Sequence, residues 1–577
     1  MGREIQAIKF TGEDRRVYRE KVRRSLDALA RMLRERLFED SPARVGQEIE
    51  LNLVDAAAMP SMRNADVLDA IADPAWGVEV GQFNLEINVP PRQLAGDALA
   101  ELERVVRHDL NAGDEKARGT GARLVMVGIL PTLQKGDLHL GTLTASHRFR
   151  VLNEQIFAAR GEDMRISIDG AEKLLAYTDS ITPEAACTSL QLHLQVSPEN
   201  FASYWNAAQA AAAVQVAVGA NSPFLFGRQL WHETRITLFE QATDTRPDEL
   251  KEQGVRPRVW FGEHWITSVF DLFEENLRYF PALLPICEDE DPLAVLDDGG
   301  CPQLAEMSLH NGTVYRWNRP IYAVADGTPH LRVENRVLPA GPSVADAVAN
   351  AAFYYGLVRS LAEAQRPIWT QMSFATAGDN LHEAARRGLD ADLYWPGLGE
   401  VPAAELVLRR LLPLARDGLS RWGVNPADAD RLLGFIEQRC ITGQTGAAWQ
   451  IATVAAISER GGAGRPEALR RMTQRYIEHM HTNEPVHTWP VTGLTAVSHG
   501  RLPAGSRCRA GRAGRCGRPR RCRRRPAARR RTSRRRAVLP AAGAASAGAA
   551  GRRPRRPWPR RARSLRCRRT SARTGRR

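Results

Sequence analysis

Two carboxylates lie two residues apart in a short apolar segment near the start of the chain. The segment VGQEIELNLV carries Glu48 and Glu50, and apolar residues fill the alternate positions: Ile49, Leu51 and Leu53. Because successive side chains of a β-strand point to opposite faces, both carboxylates would share one face. Neighbouring carboxylates repel each other unless a cation lies between them. The pair therefore indicates either a metal site or a solvent-facing strand.

A second segment, WGVEVGQFNLEINVPP, contributes Glu79 and Glu86, with Gly81 as a predicted bend between them. After the bend, apolar and polar residues alternate as in a half-buried strand: Phe83, Asn84, Leu85, Glu86, Ile87 and Asn88. Both carboxylates can then reach one site.

A third segment, CTSLQLHLQV, separates leucines on one face from polar residues on the other: Ser189, Gln191, His193 and Gln195. A polar strand face that holds a histidine can line a polar cleft, although a plain half-exposed strand has the same pattern.

The fourth segment, PHLRVENRVLPAGP, places Arg332, Glu334 and Arg336 on one face. This alternation is typical of an ion-paired ladder. Alternatively, Glu334 ligates a metal and the planar guanidinium groups hold phosphate oxygens.

Oxygen ligands with one imidazole favour Mg²⁺ or Mn²⁺ over Zn²⁺, and the chain has no HExxH motif or CxxC spacing among Cys187, Cys287, Cys301 and Cys440. It also lacks the Walker A motif and the dinucleotide-binding glycine fingerprint. Any nucleotide site of this chain must therefore bind phosphate without either of these glycine-rich motifs.

Strands and helices that could position these residues alternate along the chain. The strand candidates are VGQEIELNLVD, VEVGQFNLEINV, ARLVMVGILP, CTSLQLHLQV and PHLRVENRVLP. Helical periodicity predicts helices over 15–39, 97–118 and 201–220, and again in SVADAVANAAFYYGLVRSLAEA, AAELVLRRLLPLARDGLSRW and PEALRRMTQRYIEHM. The pattern predicts an α+β fold with one catalytic domain over residues 1–495 and a helical C-terminal part.

These motifs resemble the glutamate-cysteine ligases and related carboxylate-amine ligases. The resemblance spans about Val45 to Pro490 and includes the four segments above together with VGANSPFLFG, HNGTVYRWNRP and NEPVHTWP. It implies a curved, mainly antiparallel, open-barrel-like sheet of the glutamine-synthetase type, packed by helices.

The resemblance also implies roles for individual residues. The implied metal ligands, which would hold Mg²⁺ around ATP, are Glu48, Glu50, Glu79, Glu86, His193 and Glu334. Arg336, with Glu334, would be catalytic and would touch the transferred phosphate, and Arg235 would pair with the carboxylate of glutamate. Arg316 and Arg319 are further candidates for ligand anions, because arginine beside aromatic rings is often held rigid by stacking.

The implied reaction is γ-glutamylcysteine synthesis, a step of glutathione biosynthesis. ATP phosphorylates the side-chain carboxylate of glutamate, and the amine of cysteine attacks the acyl phosphate. A different acceptor amine stays open, because motifs do not define the pocket that selects it. A nucleic-acid-binding protein is the third hypothesis.

The charge distribution bears on that third hypothesis. The net charge of +15 is misleading, since 30 of the 81 basic residues lie between Arg501 and Arg577 and leave 51 basic against 66 acidic residues elsewhere. An acidic body does not favour binding to phosphate backbones. We see no export signal and no membrane-spanning stretch, and expect a cytoplasmic enzyme whose partners are small molecules.

The segment 496–577 is rich in Arg, Ala, Gly and Pro, with no Lys, Asp or Glu after residue 500. This composition predicts disorder. A nucleic-acid-binding arm and a frameshifted, non-functional C-terminus both explain it. The frameshift is favoured because natural basic arms usually mix Lys with Arg.

Truncation after Pro490 is therefore expected to leave ATP turnover unchanged, which steady-state assays of the two proteins would measure. A large loss would show that the tail is not inert. Sequencing the DNA across codons 490–505 tests the frameshift directly, and an intact reading frame would contradict it.

A second expectation concerns Glu334→Ala, which should abolish ATP turnover and leave folding largely intact. The reason is that loss of one carboxylate from a metal cluster would relieve charge repulsion in the metal-free protein.

Overall fold

A computed structural model describes residues 9–39 and 43–491 of the chain. The predicted tail over 496–577 lies outside these residues, as do the last four residues of the predicted catalytic domain. None of the helices in this described part is long and apolar enough to cross a membrane.

The strands of the described residues are β1 (Arg44–Val54), β2 (Trp76–Val78), β3 (Asn84–Gln93), β4 (Arg123–Val125), β5 (Met164–Asp169), β6 (Lys173–Thr178), β7 (Ser189–Gln195), β8 (Phe224–Leu225), β9 (Arg228–Gln229), β10 (Val259–Trp260), β11 (Tyr315–Arg316), β12 (Asn318–Ala325), β13 (Thr328–Pro339), β14 (Asp392–Trp395) and β15 (Gly399–Pro402).

The helices are α1 (Gly12–Glu35), α2 (Asn64–Ile71), α3 (Ala98–Gly119), α4 (His147–Arg160), α5 (Pro198–Gly219), α6 (Thr234–Ala242), α7 (Asp248–Glu252), α8 (Val269–Tyr279), α9 (Pro292–Asp297), α10 (Ala305–Asn311), α11 (Val344–Ala362), α12 (Phe374–Arg387), α13 (Ala403–Leu406), α14 (Leu412–Trp422), α15 (Pro426–Thr442), α16 (Gly446–Gly461) and α17 (Arg465–Thr482). A π-helical turn, Val407–Leu411, joins α13 to α14.

The main sheet has the order β12-β13-β7-β1-β3-β2, and β4 pairs with the end of β1. Neighbouring strands are antiparallel throughout this sheet, which curls into a half-barrel. The predicted α+β fold with a curved antiparallel sheet is therefore confirmed.

One predicted strand is shorter than expected. The segment ARLVMVGILP forms a strand only at β4, because its later backbone groups bond outside the ladder. The carbonyl of Val127 accepts from the Asn52 side chain at 3.2 Å, and the carbonyl of Gly128 accepts from the Thr188 N–H at 3.1 Å.

The apolar face of the main sheet packs against two buried helices, α5 and α11. Within this core, a row of amides ties α5 to β12, the edge strand, and to β13 beside it. Asn335 of β13 exchanges hydrogen bonds with Gln215 and donates to Asn318 at 2.8 Å, and Asn318 in turn donates to Gln209 at 2.7 Å. Because buried amides must be paired, this row fixes the register of β12 and β13 against the helix.

Helices α11 and α14 approach each other closely where two glycines meet. A Cβ on Gly418 would overlap the carbonyl oxygen of Gly356, and a Cβ on Gly356 would overlap that of Ala415. The small residues therefore allow backbone-to-backbone packing at this crossing.

Gly418→Ala is expected to lower the free energy of unfolding by about 1–3 kcal/mol, because the added methyl group forces the two helices apart. Gly434→Ala is the matched control. Its Cβ would meet no atom within 4 Å inside α15, so it should stabilise the protein by about 0.5–1 kcal/mol through helix propensity. Urea unfolding measures both, and a neutral Gly418→Ala would contradict the packing.

Candidate active site

The pairing of β1 with β3 brings carboxylates from separate segments together. Glu50 lies directly opposite Glu86, and Glu79 follows the end of β2, the strand that pairs with β3. Ligand oxygens of these three residues, which we call the glutamate triad, lie within 4.8 Å of one another. Two oxygens bound on opposite sides of one Mg²⁺ lie about 4.2 Å apart, so small side-chain shifts would let the triad share an ion.

The triad has too little positive charge to offset its own repulsion. Burial and the charges of Glu48 and Glu50 raise the pKa of Glu86 to about 7. Burial and the charge of Glu86 raise the pKa of Glu79 well above its ordinary value. Burial also raises the pKa of Glu50, although the charge of Arg336 opposes this rise. Buried carboxylates that oppose one another in this way fit a divalent cation.

Strand β7 fixes the orientation of Glu50. The backbone N–H of Ser189 donates to Oε2 at 2.8 Å, and the Gln191 side-chain amide donates to Oε1 at 2.7 Å. Glu86 accepts a hydrogen bond of 2.7 Å from Asn88 on its own strand. The triad is therefore partly preorganised by neutral donors, which add no compensating charge.

A second row of residues runs across β7 and β1 beside the triad. His193 Nε2 lies 3.0 Å from Glu48 Oε1, and Arg332 Nε donates to His193 Nδ1 at 3.1 Å. Burial alone would raise the pKa of Glu48, but the hydrogen bond from His193 and the charge of Arg336 act against burial, and the pKa is lowered. Glu48 therefore stays ionised without a metal.

Glu334 is the most strongly paired carboxylate of the site. It lies opposite His193 on β7 and opposite Arg319 on β12. Arg319 Nη2 donates to Glu334 at 2.9 Å, and Arg336 Nη1 donates at 2.8 Å. Burial would raise the pKa of Glu334, but the two guanidinium groups lower it far below its ordinary range. Glu334 is therefore part of an ion-paired ladder, and it is also one of the residues predicted to bind a metal.

A bulge in β13 places Arg336. The register with β7 shifts between Asn335 and Leu338, so β13 has one more residue than its partner. The inserted residue lets Arg336 lie beside Glu334 and face the triad. Arg336 Nε is buried without a hydrogen-bond partner among the described residues, so this edge of the guanidinium is uncommitted.

The geometry corrects the expectation that Glu334→Ala would leave folding intact. Removal of Glu334 would leave the buried cations Arg319 and Arg336 without their counter-charge, which destabilises a fold. Repulsion is concentrated instead at Glu79 and Glu86, and changes there would relieve it.

Arg235 is buried, with 2% of its surface exposed, at the start of α6. It donates to Glu233 at 3.1 Å and to the backbone carbonyls of Arg336 and Val337. It therefore holds the β13 bulge from behind. Its pairing with a glutamate carboxylate stays a prediction.

Arg316 does not join the cluster. Its side chain is fully enclosed, donates to Glu275 at 2.8 Å and to Asn276, and lies over the ring of Trp260. Its guanidinium group therefore has a structural partner and no access for a ligand anion, unlike Arg319 three residues later. The prediction that Arg316 binds a ligand anion is therefore corrected, because its guanidinium group pairs with Glu275 and Asn276 instead.

Glu184 is a site residue that the sequence patterns did not reveal. It lies in a 3-10 turn, Thr182–Ala186, just before β7, and its Oε2 is buried without a partner in the described part of the chain. Burial and the charge of Glu50 raise its pKa to about 7, while Arg336 and Arg148 oppose the rise. Strand alternation could not find it because it lies outside a strand.

A sequence model of glutamate-cysteine ligase family 2 matches residues 44–474. No match was found among curated proteins.

Three solved structures are similar to this chain at low identity. A glutamate–cysteine ligase from Francisella tularensis, in complex with AMP, has 11% identity and a TM-score of 0.45, over 77% of this chain and 90% of that one. A bifunctional glutathione synthetase from Pasteurella multocida has 12% identity and a TM-score of 0.40, over 79% and 55%. The ligase PafA, in complex with the prokaryotic ubiquitin-like protein Pup, has 10% identity and a TM-score of 0.33, over 74% and 71%.

The charge imbalance of the triad predicts a pH-dependent effect of Glu86→Gln. The folded pKa of about 7 lies above the ordinary 4.5. The neutral carboxyl is therefore fully favourable below about pH 4.5, and this contribution is lost as pH rises through 7. Glutamine cannot ionise, so at pH 8 the free energy of unfolding of the variant should exceed that of wild type by on the order of 1–2 kcal/mol. At pH 5, where the wild-type carboxyl is largely neutral, this gain should be smaller.

Urea unfolding with a metal chelator present would measure this difference. Glu101→Gln, an exposed change on α3, is the control and should show no such pH dependence. An equal gain in unfolding free energy from Glu86→Gln at both pH values would contradict the claim that the ionised form of Glu86 destabilises the metal-free protein.

Proposed function

This chain belongs to glutamate-cysteine ligase family 2, and from that premise we propose that it joins a carboxylate to an amine with ATP as the energy source. The glutamate triad carries the proposal. Its carboxylates, one buried and two half-buried, have too little nearby positive charge and need a divalent cation when they are ionised. The triad adjoins a row of arginines suited to phosphate oxygens.

The residues that would hold Mg²⁺ or Mn²⁺ are Glu50, Glu79 and Glu86, with Glu48, His193 and Glu334 as the further ligands that the family resemblance implies. Their oxygen-rich composition suits these hard cations. When bound, the metal would neutralise phosphate charge and orient the phosphoryl group for transfer.

The reaction needs no nucleophilic side chain from the protein. The side-chain carboxylate of glutamate would attack the γ-phosphorus of ATP and release ADP, and the amine would then displace phosphate from the acyl phosphate. The residues of the chain serve to orient the two anions and to balance their charge.

Arg336 and Arg319 are the residues we assign to the transferred phosphoryl group. Both are anchored by Glu334, at 2.8 Å and 2.9 Å, so their guanidinium groups are preorganised before a ligand arrives. Arg235 supports this arrangement through the backbone of the bulge. A fixed guanidinium spends less conformational entropy on binding than a mobile one.

For the substrates, we propose L-glutamate as the acid and L-cysteine as the amine, which is γ-glutamylcysteine synthesis. The support is family membership alone. A ligase that uses another amine has the same metal and phosphate residues, since these do not contact the group that distinguishes amines.

The decisive assay follows ADP and phosphate release from ATP, glutamate and Mg²⁺ with a panel of amines that includes cysteine, 2-aminobutyrate, alanine and glycine. We expect turnover to depend on all three components and to be fastest with cysteine. If turnover is fastest with a different amine, the assignment of cysteine as the acceptor is wrong, but the assignment of the protein as a carboxylate-amine ligase stands. Failure of every amine, in protein shown to be folded, would contradict the ligase.

Glu79→Gln tests whether the triad acts in ATP turnover or only affects the stability of the fold. The variant should lose about 100-fold or more of its ATP turnover, as expected when an electrostatic contact to the transition state is lost. Its melting temperature without metal should be equal or higher, because the repulsion with Glu86 is removed. Glu405→Gln, a change to a partly exposed residue on α13, is the control. Full activity in Glu79→Gln would contradict the site.

A further inference from the structure

The hairpin of β5 and β6 forms a two-stranded sheet of its own, separate from the main sheet. Among the described residues, no backbone group of β6 forms a hydrogen bond outside this hairpin. An edge strand left open in this way presents unpaired N–H and C=O groups, to which another strand can add.

The register of the hairpin shows which backbone groups point outward. Ser167 of β5 lies opposite Leu175, and its N–H points away from β6 and donates to the Gln241 side chain at 2.8 Å. In an antiparallel ladder, residues that face each other without exchanging hydrogen bonds point their N–H and C=O groups to the two outer edges. The backbone groups of Leu175 therefore point away from β5, as do those of Lys173 and Tyr177, because alternate residues of a strand share one direction.

The two faces of the hairpin differ in burial. One face packs on the core through Met164, Ile166 and Ala176, which are buried. The opposite face presents Leu175 and Tyr177, which are 58% and 53% exposed. Large apolar side chains beside an open edge mark a surface that another chain can cover.

The sequence of β6 identifies the partner, because it is complementary to itself in the antiparallel direction. Pairing of Ala176 with the same residue of a second copy places Leu175 opposite Tyr177. The same register places Lys173 opposite Asp179, and a twofold axis repeats each pair. A slip of two residues would instead put Lys173 opposite Tyr177 or Leu175 opposite Asp179. Only the first register matches charge with charge and apolar with apolar.

The two charged residues are available for this pairing. Asp179 is exposed and has no ion-pair partner among the described residues. Lys173 has one partner, Asp169, at 3.2 Å, and both side chains of that pair are more than 70% exposed. Exposed ion pairs of this kind are worth little, so Lys173 can turn to a second carboxylate at small cost.

We propose that β6 pairs with β6 of a second copy of this chain and joins the two hairpins into one four-stranded antiparallel sheet. Apolar pairs at the centre and ion pairs at both ends fix its register. An edge of six residues buries less than a standard interface, so the dimer is weak, with a Kd on the order of 10–100 µM. It is independent of the proposed ligase function, since it uses no residue of the glutamate triad or its arginines.

Sedimentation velocity of the full chain, from about 1 to 500 µM, measures the dimer. Lys173→Glu and Asp179→Lys each place like charges opposite each other at both ends, so each should raise the Kd about 10-fold or more. An equimolar mixture of the two variants regains opposite charges at both ends of the mixed dimer. Its Kd should return to within about threefold of wild type.

Lys135→Glu is the control for a change in net charge, because Lys135 is exposed and lies outside the hairpin. It should change the Kd less than about twofold.

Cross-linking with a carbodiimide, which joins an amine to a carboxylate without a spacer, tests the register. Lys173 and Asp179 of one chain lie about 17–20 Å apart along an extended strand, so a direct link between them forms only between two chains. We expect this link in mass spectra of the wild-type protein. The link from Lys173 to Asp169 of the same chain, 3.2 Å away, shows that the reagent reaches Lys173.

Three results would overturn the proposal. The first is a folded wild-type protein that stays monomeric up to about 500 µM. The second is a single charge variant that associates as tightly as wild type, or a mixture of the two that associates as weakly as each alone. The third is a spectrum that contains the link from Lys173 to Asp169 and lacks the link from Lys173 to Asp179.

Discussion

Repulsion between carboxylates on the polar face of the main sheet is the constraint on which the rest of the site depends. Five glutamates from strands and strand ends lie close together, and Glu184 approaches them from the turn before β7. Their charges are balanced unevenly. Glu48 and Glu334 have His193, Arg319 and Arg336 as partners and stay ionised, whereas Glu50 and Glu86 accept hydrogen bonds from neutral donors. Burial and the charge of Glu86 raise the pKa of Glu79. The unbalanced half is where a cation would contribute most to stability.

The scaffold keeps these charges in place through layers of neutral hydrogen bonds. The amide row from Gln209 through Asn318 and Asn335 to Gln215 fixes β12 and β13 to α5 on the apolar side of the sheet. Arg235 donates hydrogen bonds to the backbone of the bulge that places Arg336. Since a one-residue slip would turn every side chain to the opposite face, this fixed register is what puts Glu334 beside Arg319.

Much of this arrangement could be predicted from the sequence because strand alternation is a strong signal. The faces of Glu48 with Glu50, of Ser189 to Gln195 and of Arg332 to Arg336 follow from a period of two. The pattern could not distinguish Arg316 from Arg319, because enclosure by Glu275 and Asn276 depends on how α8 packs. It also missed Glu184, which lies in a turn, and it could not show whether a given glutamate repels its neighbours or pairs with an arginine. These properties depend on contacts between segments far apart in the chain.

An anomalous difference map from crystals of the protein grown with Mn²⁺ would show directly whether the glutamate triad binds a divalent cation. A Mn²⁺ ion held by the triad would give a peak bound by carboxylate oxygens of Glu50, Glu79 and Glu86, at about 2.1–2.3 Å. A map without a peak at the triad, in crystals where these side chains are well ordered, would contradict it. So would a peak whose ligands include none of the three.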